Sequence, residues 1–110
     1  MTIEKLRELG ADVDTGLARC LNKEDFYLKM VNMALSDSRF EELGQAVKSN
    51  DLKMAFEITH ALKGAVGNVA LEPLYKVISE MTEFLRAESD ADYLSMYENL
   101  IKIRKQFMEA

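Results

Sequence analysis

Apolar residues recur at spacings of three and four along almost the whole chain, which is the periodicity of an amphipathic α-helix. In one segment the apolar positions are Leu74, Val77, Ile78, Met81 and Leu85. The chain contains one proline, and Ala, Leu, Met, Glu and Lys outnumber the β-branched residues. Because these are the residues that favour helices over strands, the pattern predicts an all-α fold.

Short runs of glycine, serine, asparagine and aspartate divide this pattern into separate helices. Two short pieces come first, and four substantial helices follow, or five if residues 38–47 pack as a rod of their own. Short connections make successive helices antiparallel neighbours. We therefore expect residues 1–110 to form a single domain, an antiparallel up-down four-helix bundle with short N-terminal helical segments.

The charge and cysteine content argue against several classes of protein. The net charge is −5, so the surface as a whole should repel nucleic acid and anionic lipid. One cysteine cannot form an intrachain disulfide, and no stretch approaches the roughly 20 apolar residues of a membrane span. We expect a cytoplasmic protein without nucleic-acid or membrane partners. We also expect a monomer, because one bundle can bury its own apolar faces.

His60 is the only histidine, and it lies in a continuous helical pattern over residues 52–66, for which Gly67 and Asn68 are the predicted C-terminal cap. At about 100° per residue, one face of this helix gathers Leu52, Ala55, Phe56, Thr59, Leu62 and Val66. His60 falls on the opposite face with Lys53, Glu57, Gly64 and Gly67. The imidazole should therefore face solvent, where a neutral ring is a nucleophile.

The residues three, four and seven positions after His60 share its helical face, and they are Lys63, Gly64 and Gly67. Glycine inside a helix costs about 1 kcal/mol relative to alanine, so Gly64 needs a reason. Without a Cβ at this position, another protein can close over the imidazole, and Lys63 supplies a cation beside it. The sequence offers no metal cluster, oxyanion donor or second acid–base group here, so the activating groups should lie on a partner.

Residues 59–71, Thr-His-Ala-Leu-Lys-Gly-Ala-Val-Gly-Asn-Val-Ala-Leu, resemble the signature of histidine-containing phosphotransfer (HPt) domains. In that signature His-x-Leu-Lys-Gly precedes a stretch of small residues and a leucine. In residues 51–60 an aspartate is followed by a helical stretch and then the histidine, which resembles the same order in that family. Residues 12–27 resemble the N-terminal part of its stand-alone, bacterial-type members. One departure is Ala70, where the family usually has glycine, and we expect it to alter the helix corner without abolishing activity.

The resemblance implies a histidine phosphotransfer protein of a multistep two-component phosphorelay. His60 would accept a phosphoryl group from, and donate it to, aspartates of receiver domains. Lys63 would stabilise the phosphoryl charge and Gly64 would leave room for the partner. The implied partners are response-regulator receiver domains and a hybrid sensor histidine kinase. The chain itself needs no cofactor, since the receiver supplies Mg²⁺, and the absence of a Gly-rich nucleotide loop predicts a phosphoryl carrier without ATP-dependent autokinase activity.

The predicted docking face surrounds His60. It comprises Lys53, Glu57, Ala61, Lys63, Gly64, Gly67 and Asn68, with Lys76 from the next helix. The residues leave other interpretations open. The protein could be an adaptor that binds receivers without transferring a phosphoryl group. It could also be an enzyme in its own right, a phosphohistidine phosphatase or an acid–base catalyst, since Glu57 lies one turn before His60. Its methionines could line a groove for a partner, and it could be a domain of a larger kinase.

Overall fold

The computed structural model describes residues 1–110 and contains seven α-helices and no strand. The helices are α1 (Ile3–Glu8), α2 (Val13–Arg19), α3 (Glu24–Leu35), α4 (Arg39–Lys48), α5 (Leu52–Asn68), α6 (Glu72–Arg86) and α7 (Tyr93–Met108). The predicted all-α class is confirmed. Five helices follow the two short N-terminal ones, because residues 39–48 form a helix of their own. None of the seven is both long and apolar enough to cross a membrane.

The longest helix, α5, is packed on several sides. It contacts α4 and α6, which precede and follow it in the chain, and it also contacts α3. The last helix, α7, packs against α4 and α6 and is contacted by α3 as well. At the N-terminal end, α1 packs against α2, and α2 against α3. These contacts leave one side of α5 for solvent.

Every helix contributes side chains to one apolar core. One buried residue from each, in chain order, is Leu6, Val13, Tyr27, Phe40, Leu62, Leu74 and Phe107. Burying a large apolar side chain stabilises the fold by roughly 1.5–3 kcal/mol, so these contacts fix the rotation of each helix. Met81 belongs to this core, whereas Met33 and Met54 are exposed. The methionines therefore do not form one common groove.

Three helices begin at an aspartate whose carboxylate accepts a backbone N–H of the first turn. Asp12 accepts from Thr15 at 3.3 Å and Asp51 accepts from Met54 at 3.2 Å. Asp92 does the same at the start of α7. An aspartate cap of this kind contributes about 1 kcal/mol and fixes the first residue of the helix. For α5 it sets the start of the helix that carries His60.

The end of α5 differs from the sequence-based expectation. The pattern predicts a helix ending near Val66 with Gly67 and Asn68 as its cap, but the helix continues through Asn68. The residue in the left-handed conformation is Ala70, with φ of 60°. The prediction that Gly67 caps the helix is therefore wrong: this residue is helical, and the chain turns three residues later.

Candidate functional site

His60 lies exposed on α5, as the sequence predicts, and its ring stacks on a neighbouring phenyl ring. The ring centroids of His60 and Phe56 are 5.9 Å apart and their planes meet at 24°. Residues four apart are neighbours on a helix surface, which brings the two rings together. The guanidinium of Arg86, from α6, lies over the Phe56 ring at 5.1 Å. Phe56 itself is half-buried. Stacking on its ring limits the orientations that the imidazole can adopt.

A surface groove runs from His60 along the last turns of α5. Its lining residues are Arg19, His60, Lys63, Gly64, Gly67, Asn68, Glu72 and Tyr75. The first comes from the end of α2 and the last two come from α6. The structure thus brings together His60 and four other residues that the sequence singles out. It adds Arg19, Glu72 and Tyr75, which no local sequence pattern indicates as site residues.

The two glycines of the groove do different things. A Cβ added to Gly64 would have no heavy atom within 4 Å, so no packing contact requires glycine there. A Cβ added to Gly67 would lie 2.9 Å from a ring carbon of Tyr75. Gly67 therefore lets the Tyr75 ring lie close to the helix, whereas Gly64 keeps open space beside His60.

Lys63 is half-buried in this groove and makes no ion pair. The four salt bridges of the molecule join Arg7 to Asp14, Arg39 to Asp37, Arg86 to Glu83 and Arg104 to Glu41. The ammonium of Lys63 is thus free to neutralise an anion that enters the groove. It lies one turn after His60 on the same helical face.

The end of the groove is held by donors from the N-terminal part of the chain. Nη1 of Arg19 donates to the carbonyl oxygens of Gly67 at 2.8 Å and of Asn68 at 3.2 Å. The next two carbonyls are also bonded, Val69 by the Tyr27 hydroxyl and Ala70 by the Asp12 backbone N–H. The last carbonyls of a helix lack partners within it, so these bonds satisfy the end of α5.

Four other residues of the predicted docking face lie outside this groove. Lys53 and Glu57 are exposed on earlier turns of α5, and Lys53 lines a neighbouring groove with Phe56 and Arg86. Ala61 is half-buried on α5, and Lys76 is exposed on α6 in a third groove. Glu57, on which the phosphatase interpretation depends, is therefore not brought into the groove with His60.

The model of the Hpt domain family matches residues 33–107. This match covers more than half of the chain and includes His60, Lys63 and Gly64. The chain belongs to the Hpt domain family. Hpt domains carry out histidine phosphotransfer in phosphorelays and interact with receiver domains and kinases. Among curated proteins and solved structures, none matches this chain.

The matched residues leave out part of the site. They begin near the end of α3, so α1, α2 and most of α3 precede them. Arg19, which lines the groove, and Tyr27 and Asp12, which bond the end of α5, all precede the matched part of this Hpt chain. No three His, Cys, Asp or Glu side chains gather anywhere as a metal-binding group.

Proposed function

We propose that this Hpt protein accepts a phosphoryl group on His60 and donates it to aspartates of receiver domains in a multistep phosphorelay. The proposal rests on the residues that surround His60 in a chain of this family. Its only histidine is exposed, beside a glycine with open space around it and a lysine without an ion pair. Such a site can receive a group that a docked partner presents.

In the transfer, the Nε2 lone pair of neutral His60 attacks the phosphorus of a receiver aspartyl phosphate in line. The N–P bond forms while the P–O bond to the aspartate breaks, and its electron pair leaves on the carboxylate. Donation to another receiver is the reverse reaction. Positioning and charge neutralisation supply most of the catalysis in phosphoryl transfer. Lys63 neutralises phosphoryl oxygens from this chain, and the receiver's Mg²⁺ does so from the other side, so this chain needs no cofactor.

The packing of the helices supports this role. We infer that α4, α5, α6 and α7 form an antiparallel up-down four-helix bundle within a single domain, since α5 and α7 each contact both α4 and α6. A bundle of this kind holds an exposed side chain on a rigid helix. The protein would act as a monomer in the cytoplasm, between a hybrid sensor kinase and response regulators.

The experiment that tests the function mixes the protein, without ATP, with a panel of phosphorylated receiver domains and Mg²⁺. We expect label on the chain that is acid-labile, stable to base and absent in His60→Gln. Retention of label in His60→Gln would contradict the assignment of the acceptor. A receiver that binds the chain but never transfers label to it would favour the non-transferring adaptor.

A further inference from the structure

We propose that Arg19 binds the receiver domain, so that the docking surface of this chain extends from α5 onto the end of α2. The inference rests on the proposed function, since the partner is the receiver domain that serves His60. Arg19 is the last residue of α2, which lies outside the residues matched by the family model. It nevertheless lines the same groove as His60 and Lys63.

The guanidinium of Arg19 is fixed in place but only partly used. Its Nη1 makes two hydrogen bonds to carbonyl oxygens at the end of α5, while its Nε and Nη2 make none within the chain. Arg19 is exposed and belongs to no salt bridge. The carbonyl end of a helix attracts a cation, which helps to hold the group there. A held guanidinium loses less freedom when it binds a carboxylate, so its free N–H groups are prepared for an outside acceptor.

Charge indicates what kind of partner this position fits. The groove contains Arg19 and Lys63 against one carboxylate, Glu72, in a protein whose net charge is −5. A local excess of positive charge on an acidic protein favours an acidic partner surface. A guanidinium can bind a carboxylate on such a surface, outside the receiver's active site, through two parallel hydrogen bonds.

Arg19 lies too far from His60 to act on the phosphoryl group itself. Arg19 is bonded at Gly67, seven residues after His60, which is about 10 Å along the helix at roughly 1.5 Å per residue. The helix geometry also tilts the His60 side chain toward the start of α5, away from Arg19. A phosphoryl group on His60 is therefore out of its reach. A protein partner, which typically covers about 800 Å² on each side, spans that distance easily.

The test measures binding and transfer separately with the receiver domain of the panel that binds the wild-type chain most tightly. For Arg19→Gln we expect Kd to rise by roughly tenfold, as for the loss of a charge-assisted hydrogen bond. The transfer rate at saturating receiver should stay within about twofold, because the groups next to the phosphoryl remain. Arg19→Lys keeps the charge without the planar group and should give an intermediate Kd. The matched control is Lys102→Gln, which removes one charge from an exposed position on α7.

The dependence of Kd on ionic strength distinguishes binding of the receiver by Arg19 from a purely structural role of this residue. If Arg19 binds carboxylates of the receiver, Kd should rise less steeply with ionic strength in Arg19→Gln than in the wild type. An unchanged Kd in Arg19→Gln, or an equal rise in Lys102→Gln, would overturn the proposal. So would a fall in the saturating rate as large as the loss of affinity, since that would indicate a damaged site. Failure of the proposed function looks different: the wild-type chain binds the receiver and takes no label.

Discussion

The phenol hydroxyl of Tyr27 donates a 2.9 Å hydrogen bond to the carbonyl oxygen of Val69, 42 residues later in the chain. The side chain of Tyr27 is fully buried, and Val69 lies between α5 and the turn at Ala70. Together with the bonds made by Arg19 and Asp12, this contact ties the end of the His60 helix to the first helices.

Replacing Tyr27 with phenylalanine should destabilise the protein. The buried carbonyl of Val69 would lose its donor, and an unsatisfied buried group costs about 1–3 kcal/mol. Urea denaturation should therefore show a lower free energy of unfolding with an unchanged m-value. Tyr75→Phe is the control, because Tyr75 is half-buried and its hydroxyl makes no hydrogen bond within the chain. Equal stability of Tyr27→Phe and wild type would contradict this assignment.

Alkaline pH should unfold the protein partly through the same residue. Burial raises the pKa of Tyr27 from the ordinary value of 10.0 to about 12. The folded state disfavours phenolate, so this contribution to stability is complete below pH 10 and is lost as the pH rises toward 12. Burial also raises the pKa of Tyr93 and Tyr97. In Tyr27→Phe the decline in stability over this pH window should be shallower than in the wild type but not absent.

Gly64→Ala should separate stability from function. Open space around the added methyl means no clash, and alanine is favoured over glycine in a helix by about 1 kcal/mol, so the variant should unfold at slightly higher urea. The methyl would stand where the partner closes over His60, and a misplacement of about 1 Å can cost on the order of 100-fold in rate. We expect transfer from the receiver to fall at least tenfold.

The control for that variant is Gly16→Ala. The added Cβ of Gly16 would fall on the ring of Tyr27, which is buried and held by its bond to Val69. Overpacking of this kind costs about 1–3 kcal/mol. Gly16→Ala should therefore lose stability while Gly64→Ala gains it. Full transfer activity in Gly64→Ala would contradict a role for Gly64 in partner access.

Lys63→Gln should slow the transfer step itself. The variant removes an unpaired cation one turn from His60, and a charge-assisted hydrogen bond contributes roughly 1.5–3 kcal/mol. We expect the rate at saturating receiver to fall by about tenfold or more, measured in rapid-quench reactions. Lys76→Gln serves as the comparison, because Lys76 lies outside the groove of His60. Equal rates for the two variants would show that Lys63 does not act on the phosphoryl group.

Phe56→Leu should allow the His60 imidazole to adopt more orientations. The stacked phenyl ring would be lost, although leucine keeps an apolar side chain over the neighbouring helix. Ring protons of His60 should then shift toward unstructured values in NMR spectra, and transfer should slow several-fold because the nucleophile is less well oriented. Phe26→Leu, at an exposed phenylalanine of α3, should leave both quantities unchanged. Unchanged His60 resonances in Phe56→Leu would remove the orienting role.

Local patterns were enough to predict the helical class and the exposed face of α5. The positions of Lys63 and Gly64 relative to His60 follow from helical spacing alone, and the structure places all three in one groove. Arg19 could not be found in this way, because its partners lie 48 and 49 residues away in the sequence. Its place in the groove depends on how α2 packs, which no local pattern records.

The turn after α5 shows how a long-range contact overrides a local signal. The local pattern predicts Gly67 as the helix terminator, yet this residue is helical and accommodates the Tyr75 ring. The left-handed residue is Ala70, the position at which the family usually has glycine. A left-handed conformation costs a non-glycine residue about 1–2 kcal/mol, which explains the family preference. Here the buried methyl of Ala70 and the bond from Asp12 to its carbonyl offset part of that cost.

The hydrogen bonds from Asp12, Arg19 and Tyr27 to the end of α5 also determine where this chain can be truncated or fused to another protein. A fragment starting at residue 33, where the family match begins, would keep His60 and lose Asp12, Arg19 and Tyr27. Four successive carbonyls, from Gly67 to Ala70, would then lose their distant donors. A chimera that transplants this phosphotransfer unit into another signalling protein should therefore begin before Asp12.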